Sequence, residues 1–123
     1  MANEITTSIS LVLRNGFLRS DFKPAKILTT QTTGAIFDVS PTIATTETTV
    51  TITGLTTPKI CILQNLNATN YCEVGFATTV YPMRLFPTGT GLPNIITLNT
   101  GTTVLYMKAN TAAVKVRVMV LDA

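Results

Sequence analysis

Apolar and polar residues alternate along much of this chain, with a period of two rather than 3.6. Over residues 5–14, Ile5, Thr7, Ile9, Leu11 and Leu13 fall on one face of an extended strand, because successive side chains point to opposite sides. Asn15-Gly16 follows, a strong hairpin signal since both residues tolerate positive φ. A two-residue loop there pairs Arg14 with Phe17, Leu13 with Leu18, Leu11 with Ser20 and Ile9 with Phe22. That register gathers apolar groups on a common face. Pro24 cannot donate to a ladder and ends the second strand.

The pattern is looser over residues 26–54. Ile27-Leu28 and residues 35–39 read as strands, with breaks near Gly34 and Pro41. Residues 48–53 set Val50 and Ile52 against threonines, a half-buried strand. Ile60-Cys61-Ile62-Leu63 is apolar on both faces, which predicts a central strand. A polar turn over 65–70 sends the chain back along 71–76 as a hairpin. Residues 81–94 hold Pro82, Pro87, Gly89, Gly91 and Pro93 and read as a long surface loop. Strands follow near 95–98 and 103–108, split by Asn99-Thr100-Gly101. The last strand, 114–121, puts Val114, Val116, Val118 and Val120 on one face, with Lys115 and Arg117 opposite. No helical period, interdomain linker or repeat interrupts these strands. The expected fold is all-β, an antiparallel β-sandwich of jelly-roll type, as a single domain over residues 1–123.

Composition sharpens this picture. About one residue in five is threonine, a β-branched residue that packs well on a pleated surface. Charged residues make up 12% of the chain, about half the usual share, while 46% are hydrophobic. Mean hydropathy is +0.38, yet no run of ~18 apolar residues is present to form a membrane-spanning helix. Low charge with high hydropathy suggests surface covered by other subunits, because interface cores are depleted of charge. Threonine, serine and asparagine keep the remainder wettable. The net charge of +3 is scattered, with no basic stripe interleaved with aromatics, so nucleic acid is not an expected partner.

The chain has no histidine. That removes the base of Ser/His and Cys/His nucleophilic catalysis and the commonest metal ligand. The six acids, Glu4, Asp21, Asp38, Glu47, Glu73 and Asp122, form no local pair. Cys61 and Cys72 are spaced to face each other across a hairpin, but two cysteines without histidine build no ordinary zinc site. They read as buried structural thiols. Gly89-Thr90-Gly91 lacks the Lys-Ser/Thr of a phosphate loop and reads as a turn. Asn67-Ala68-Thr69 fits the glycosylation pattern. Without a basic and apolar leader in Met1-Ala2-Asn3-Glu4, however, the expectation is synthesis in a reducing cytoplasm, with both cysteines as thiols. Tyr71, Phe76, Tyr81 and Phe86 offer a sugar-binding face on paper, but with no tryptophan core packing is the better reading. No catalytic, cofactor-binding or metal-ligating residue is singled out.

The run Leu63-Gln64-Asn65-Leu66-Asn67-Ala68-Thr69-Asn70-Tyr71, followed by Glu73-Val74-Gly75, resembles a recurrent block in small virion proteins of tailed bacteriophages. In those proteins an apolar strand enters an Asn-Leu-x-x-Thr-Asn-aromatic turn, then a short strand ending in glycine. Near their C-terminus they carry a Lys-Ala stretch and an apolar strand ending in an acid, here Tyr106-Met107-Lys108-Ala109 and residues 114–122. Asn65 and Asn70 suit such a turn because their amides bond nearby backbone and tolerate left-handed conformations, and Thr69 is placed to cap it. The resemblance implies a virion structural protein, chiefly a capsid decoration or stabilising protein. Its partners would be the major capsid protein or other virion proteins, and it would self-associate, with trimers favoured. A tail or head-to-tail component is the alternative within the virion. A carbohydrate- or host-surface-binding β module is the alternative of another class.

Overall fold

The computed structural model describes residues 4–31, 35–88 and 91–123. The expected break at Gly34, the Gly89-Thr90 half of the Gly-x-Gly turn and the opening Met1-Ala2-Asn3 lie outside the described residues. The described residues hold thirteen strands and no helix, and every pairing between strands is antiparallel. The chain divides into two compact units, Met1–Gly34 and Ala35–Ala123.

The first unit contains two separate two-stranded sheets. Strand β1 (Glu4–Thr7) pairs with β4 (Ile27–Thr30), and β2 (Leu11–Asn15) pairs with β3 (Leu18–Phe22). The single strand expected over 5–14 is therefore two, parted at Ser8-Ile9-Ser10. Serine favours local bonds to backbone over ladder positions, which suits it to such a break. The hairpin also turns one residue later than its Asn-Gly signal suggests. Asn15 pairs with Leu18, leaving Gly16 and Phe17 as the loop. Gly16 has φ +57°, while neither Asn15 nor Phe17 is in the left-handed region. This is the type II′ arrangement, which places the glycine at the first central position, where the missing Cβ removes the steric cost. The correction moves the register by two residues. Face membership is unchanged, because side chains alternate with a period of two.

The second unit carries the core. Its strands are β5 (Ile36–Val39), β6 (Thr42–Ile43), β7 (Thr48–Thr51), β8 (Pro58–Asn65), β9 (Cys72–Gly75), β10 (Met83–Leu85), β11 (Asn94–Thr97), β12 (Val104–Ala109) and β13 (Val114–Asp122). One sheet has the order β10-β9-β12-β7 and the other β11-β8-β13-β5, with β6 added beside β13. The pairs β5·β13, β7·β12, β8·β11 and β9·β10 are nested like the rungs of one long folded ribbon. Successive rungs fall in alternate sheets, and β13·β8 and β12·β9 join them side by side. A ribbon wound in this way, giving two four-stranded sheets, is a jelly roll, as the strand pattern suggested.

Each sheet turns one side inward. Val50, Val74, Leu105 and Met107 come from the first sheet, and Cys61, Leu63, Val116 and Val118 from the second; all belong to one buried cluster. The four alternating valines of β13 are buried, with Lys115 and Arg117 exposed between them. Burying a side chain of this size is worth about 1.5–3 kcal/mol. The central position expected for 60–63 holds, since β8 is flanked by β11 and β13.

That flanking overturns the hairpin expected at 65–70. Both edges of β8 are occupied, so β9 has no edge of β8 to join and enters the opposite sheet. The turn is a crossover between layers, and Cys61 and Cys72 sit in different sheets rather than face to face. The loop expected over 81–94 contains β10, which Pro82 and Pro87 bracket without entering.

Candidate functional site

Chemistry-bearing side chains in the second unit hold its loops together. Arg117 donates to both carboxylate oxygens of Asp38, at 3.2 and 2.8 Å, and this contact holds the Asp38 carboxyl below its usual range. Arg84 donates to Glu73 at 3.3 Å and stacks 4.1 Å from the Tyr71 ring centre. The buried Asp122 accepts from the backbone N–H groups of Thr56 and Thr57, at 3.1 and 2.9 Å. Glu47 accepts from the Thr79 N–H at 2.7 Å and from the Thr78 and Tyr81 hydroxyls at 2.8 Å. The first of these bonds is the largest cause of its lowered pKa. Thr79 has φ +60°, a conformation costly for a β-branched residue, and Glu47 holds it there.

Among the described residues no three of His, Cys, Asp and Glu gather where a metal ion would bind. Both cysteines are free and buried, and burial pushes the Cys61 thiol up to about 12 and the Cys72 thiol to about 11. Thiols held so far from the thiolate form are poor nucleophiles. A cleft of about 300 Å³ is lined by residues 55–59, residues of the 98–103 stretch and Ala123, and Lys59 is the one titratable side chain among the described residues on its walls.

The crossover at 65–70 bears out part of the sequence expectation, since the Asn65 amide bonds nearby backbone, and departs from it elsewhere. Neither Asn65 nor Asn70 adopts a left-handed conformation. Asn65 is buried, donates through Nδ2 to the carbonyls of Asn70 and Leu85 at 2.8 and 3.0 Å, and accepts from the Asn67 N–H at 2.8 Å. Asn67, noted in the sequence for glycosylation alone, caps the turn: its Oδ1 accepts from the Thr69 and Asn70 N–H groups, both at 2.8 Å. The side chain of Asn70 instead accepts from the Thr111 hydroxyl at 2.8 Å.

The four aromatics expected in the core are not part of it. Tyr71 and Tyr81 are half-buried under Arg84 and beside Glu47, and Phe76 and Phe86 are exposed. All four flank short strands of the first sheet, where a side chain at a strand end reaches the rim rather than the interior.

The largest departure from an ordinary folded surface is in the first unit. None of its described residues is buried. Ile9, Leu11, Val12, Leu13, Phe17, Leu18, Phe22, Ile27 and Leu28 are all exposed, and Phe17 at the hairpin tip is fully so at 109%. In the β2–β3 register, Leu11 lies opposite Phe22, Leu13 opposite Ser20 and Asn15 opposite Leu18. These six share one face, and none is charged. Val12 opposite Asp21 and Arg14 opposite Arg19 form the reverse face. Directly opposed like charges destabilise a strand pair. A two-stranded hairpin is marginal in water unless something covers an apolar face. The sequence gathered these apolar groups on a common face of the hairpin without saying what that face meets.

No protein-family model matches the chain, and no curated protein or solved structure does either.

Proposed function

We propose that this protein is a structural subunit of a bacteriophage virion, bound to the outside of the capsid shell as a decoration or stabilising protein. One observation carries the reading: among its described residues the first unit exposes nearly all of its large apolar side chains and buries none, so it gains its stability from what it binds. The work is the burial of area between neighbouring coat subunits. A protein that binds only the assembled shell stabilises it by mass action. The turn over 65–70 and the closing strand supply the resemblance to small virion proteins. The jelly-roll winding agrees with it at the level of fold analogy, since viral coats and lectins both use that winding.

The test is binding of purified protein to expanded phage shells that lack it. The expected result is saturable binding and a higher melting temperature of the shell; no binding across a range of salt concentrations refutes the role. Cryo-microscopy of whole particles separates shell from tail, because copy number differs greatly between them. The exposed Phe76 and Phe86 favour a second reading, a glycan-binding module. Glycan-array binding that is lost in Phe86→Ala would support it.

A further inference from the structure

We infer that the uncharged face of the β2–β3 hairpin is covered by the same face of a second copy of this chain. The inference rests on the assembly reading and assigns one of its surfaces. Leu11, Leu13, Leu18 and Phe22, with Asn15 and Ser20 between them, present apolar groups and two short polar side chains. Every charge on the hairpin, Arg14, Arg19 and Asp21, is on the reverse face. Two copies therefore meet without desolvating an ion, and Asn15 and Ser20 supply donors and acceptors within the contact. An occupant carrying carboxylates would find nothing to pair with on this face.

Area supports the same occupant. Leu11, Leu13, Leu18 and Phe22, each about half-exposed at roughly 80 Å², together with about 200 Å² from Phe17 at the hairpin tip, give this face ~500 Å² of apolar surface. One partner in a standard interface contributes about 800 Å², somewhat more than half of it apolar, so this face supplies enough. Among the described residues no further strand pairs with β2 or β3, so nothing there covers this face.

The experiment is light scattering on the full chain, with a paired charge substitution on each face. Wild type is expected at a multiple of the 13.2 kDa chain mass at micromolar concentration. Leu13→Asp combined with Phe22→Asp is expected to raise the dissociation constant at least about 100-fold and give the monomer mass. Arg14→Ala combined with Arg19→Ala is expected to leave the mass unchanged. Far-UV circular dichroism and the thermal transition of the sandwich are expected to be retained in both variants, since neither alters the second unit. Wild type that stays monomeric at 100 µM overturns the inference, as does an oligomer that survives the first variant or dissociates in the second. A monomer that still binds shells refutes this inference alone. An intact oligomer that binds no shell refutes the virion role alone.

Discussion

Replacing Asn65 by aspartate exchanges one amide for a carboxylate of nearly the same shape at the centre of the crossover. The Asn65 amide nitrogen donates to two backbone carbonyls, of Asn70 and Leu85, and 4% of the residue is exposed. After Asn65→Asp an acceptor faces both carbonyls, and both lose their donor. Each buried group left unsatisfied costs about 1–3 kcal/mol, and the buried charge adds to that. A total of about 3–5 kcal/mol is expected, a large share of the 5–15 kcal/mol that holds a typical domain folded. For a unit of this size the Tm falls by on the order of 15–30 °C. The effect has a definite pH dependence. Burial and the two carbonyl oxygens raise the folded-state pKa of the introduced acid above its unfolded value. The charge penalty is therefore complete above the folded pKa, shrinks as pH falls through it, and is gone below the unfolded pKa. Thermal unfolding followed by circular dichroism at neutral pH and near pH 4 measures both parts. A Tm within about 3 °C of wild type at neutral pH would refute the reasoning, as would a deficit that fails to narrow in acid.

Two further outcomes concern the turn after β9. A Cβ on Gly75 would lie 1.7 Å from the Val80 carbonyl oxygen, so Gly75→Ala displaces backbone rather than a flexible side-chain end. A loss of about 3 kcal/mol in urea unfolding at unchanged m-value is expected. Glu47 is held below the usual carboxylate range by its bonds from Thr79, Thr78 and Tyr81. Its contribution is thus present above the unfolded pKa and lost as pH falls through the depressed one. Glu47→Gln is expected to lower the Tm at neutral pH, with the gap to wild type closing as pH falls through the depressed pKa of Glu47. A gap that is constant with pH would show that the charge is irrelevant.

Strand positions were legible because burial on one face imposes alternation. The valines of β13 and the two-sided apolar run of β8 announce an inward face and a central strand before any pairing is known. Alternation marks a face, but says nothing about which edge a strand joins. The turn at 65–70 therefore read as a hairpin, although β11 and β13 already occupy both edges of β8. The bond from Thr79 to Glu47 spans 32 residues, and Asp122 reaches Thr56 across 66. No local pattern encodes either. In the first unit the alternation marked a shared face but not what covers it. Leu11, Leu13 and Phe22 share a face as expected, yet that face lies open.

The nested rungs of the jelly roll also impose an order of events during synthesis. β9 and β10 are near neighbours in sequence and can pair at once, whereas β5 must wait for β13. Because β13 lies between β8 and β5 and brings four core valines, neither that sheet nor the interior can be completed until it has left the ribosome. Contacts this distant along the chain are slow to form. The N-terminal hairpin emerges long before, with its leucines and Phe17 uncovered. On polysomes, where nascent copies sit close together, these hairpins are the first surfaces able to meet. If the inferred pairing of hairpins holds, copies can meet before the sandwich that follows each hairpin in the chain has folded.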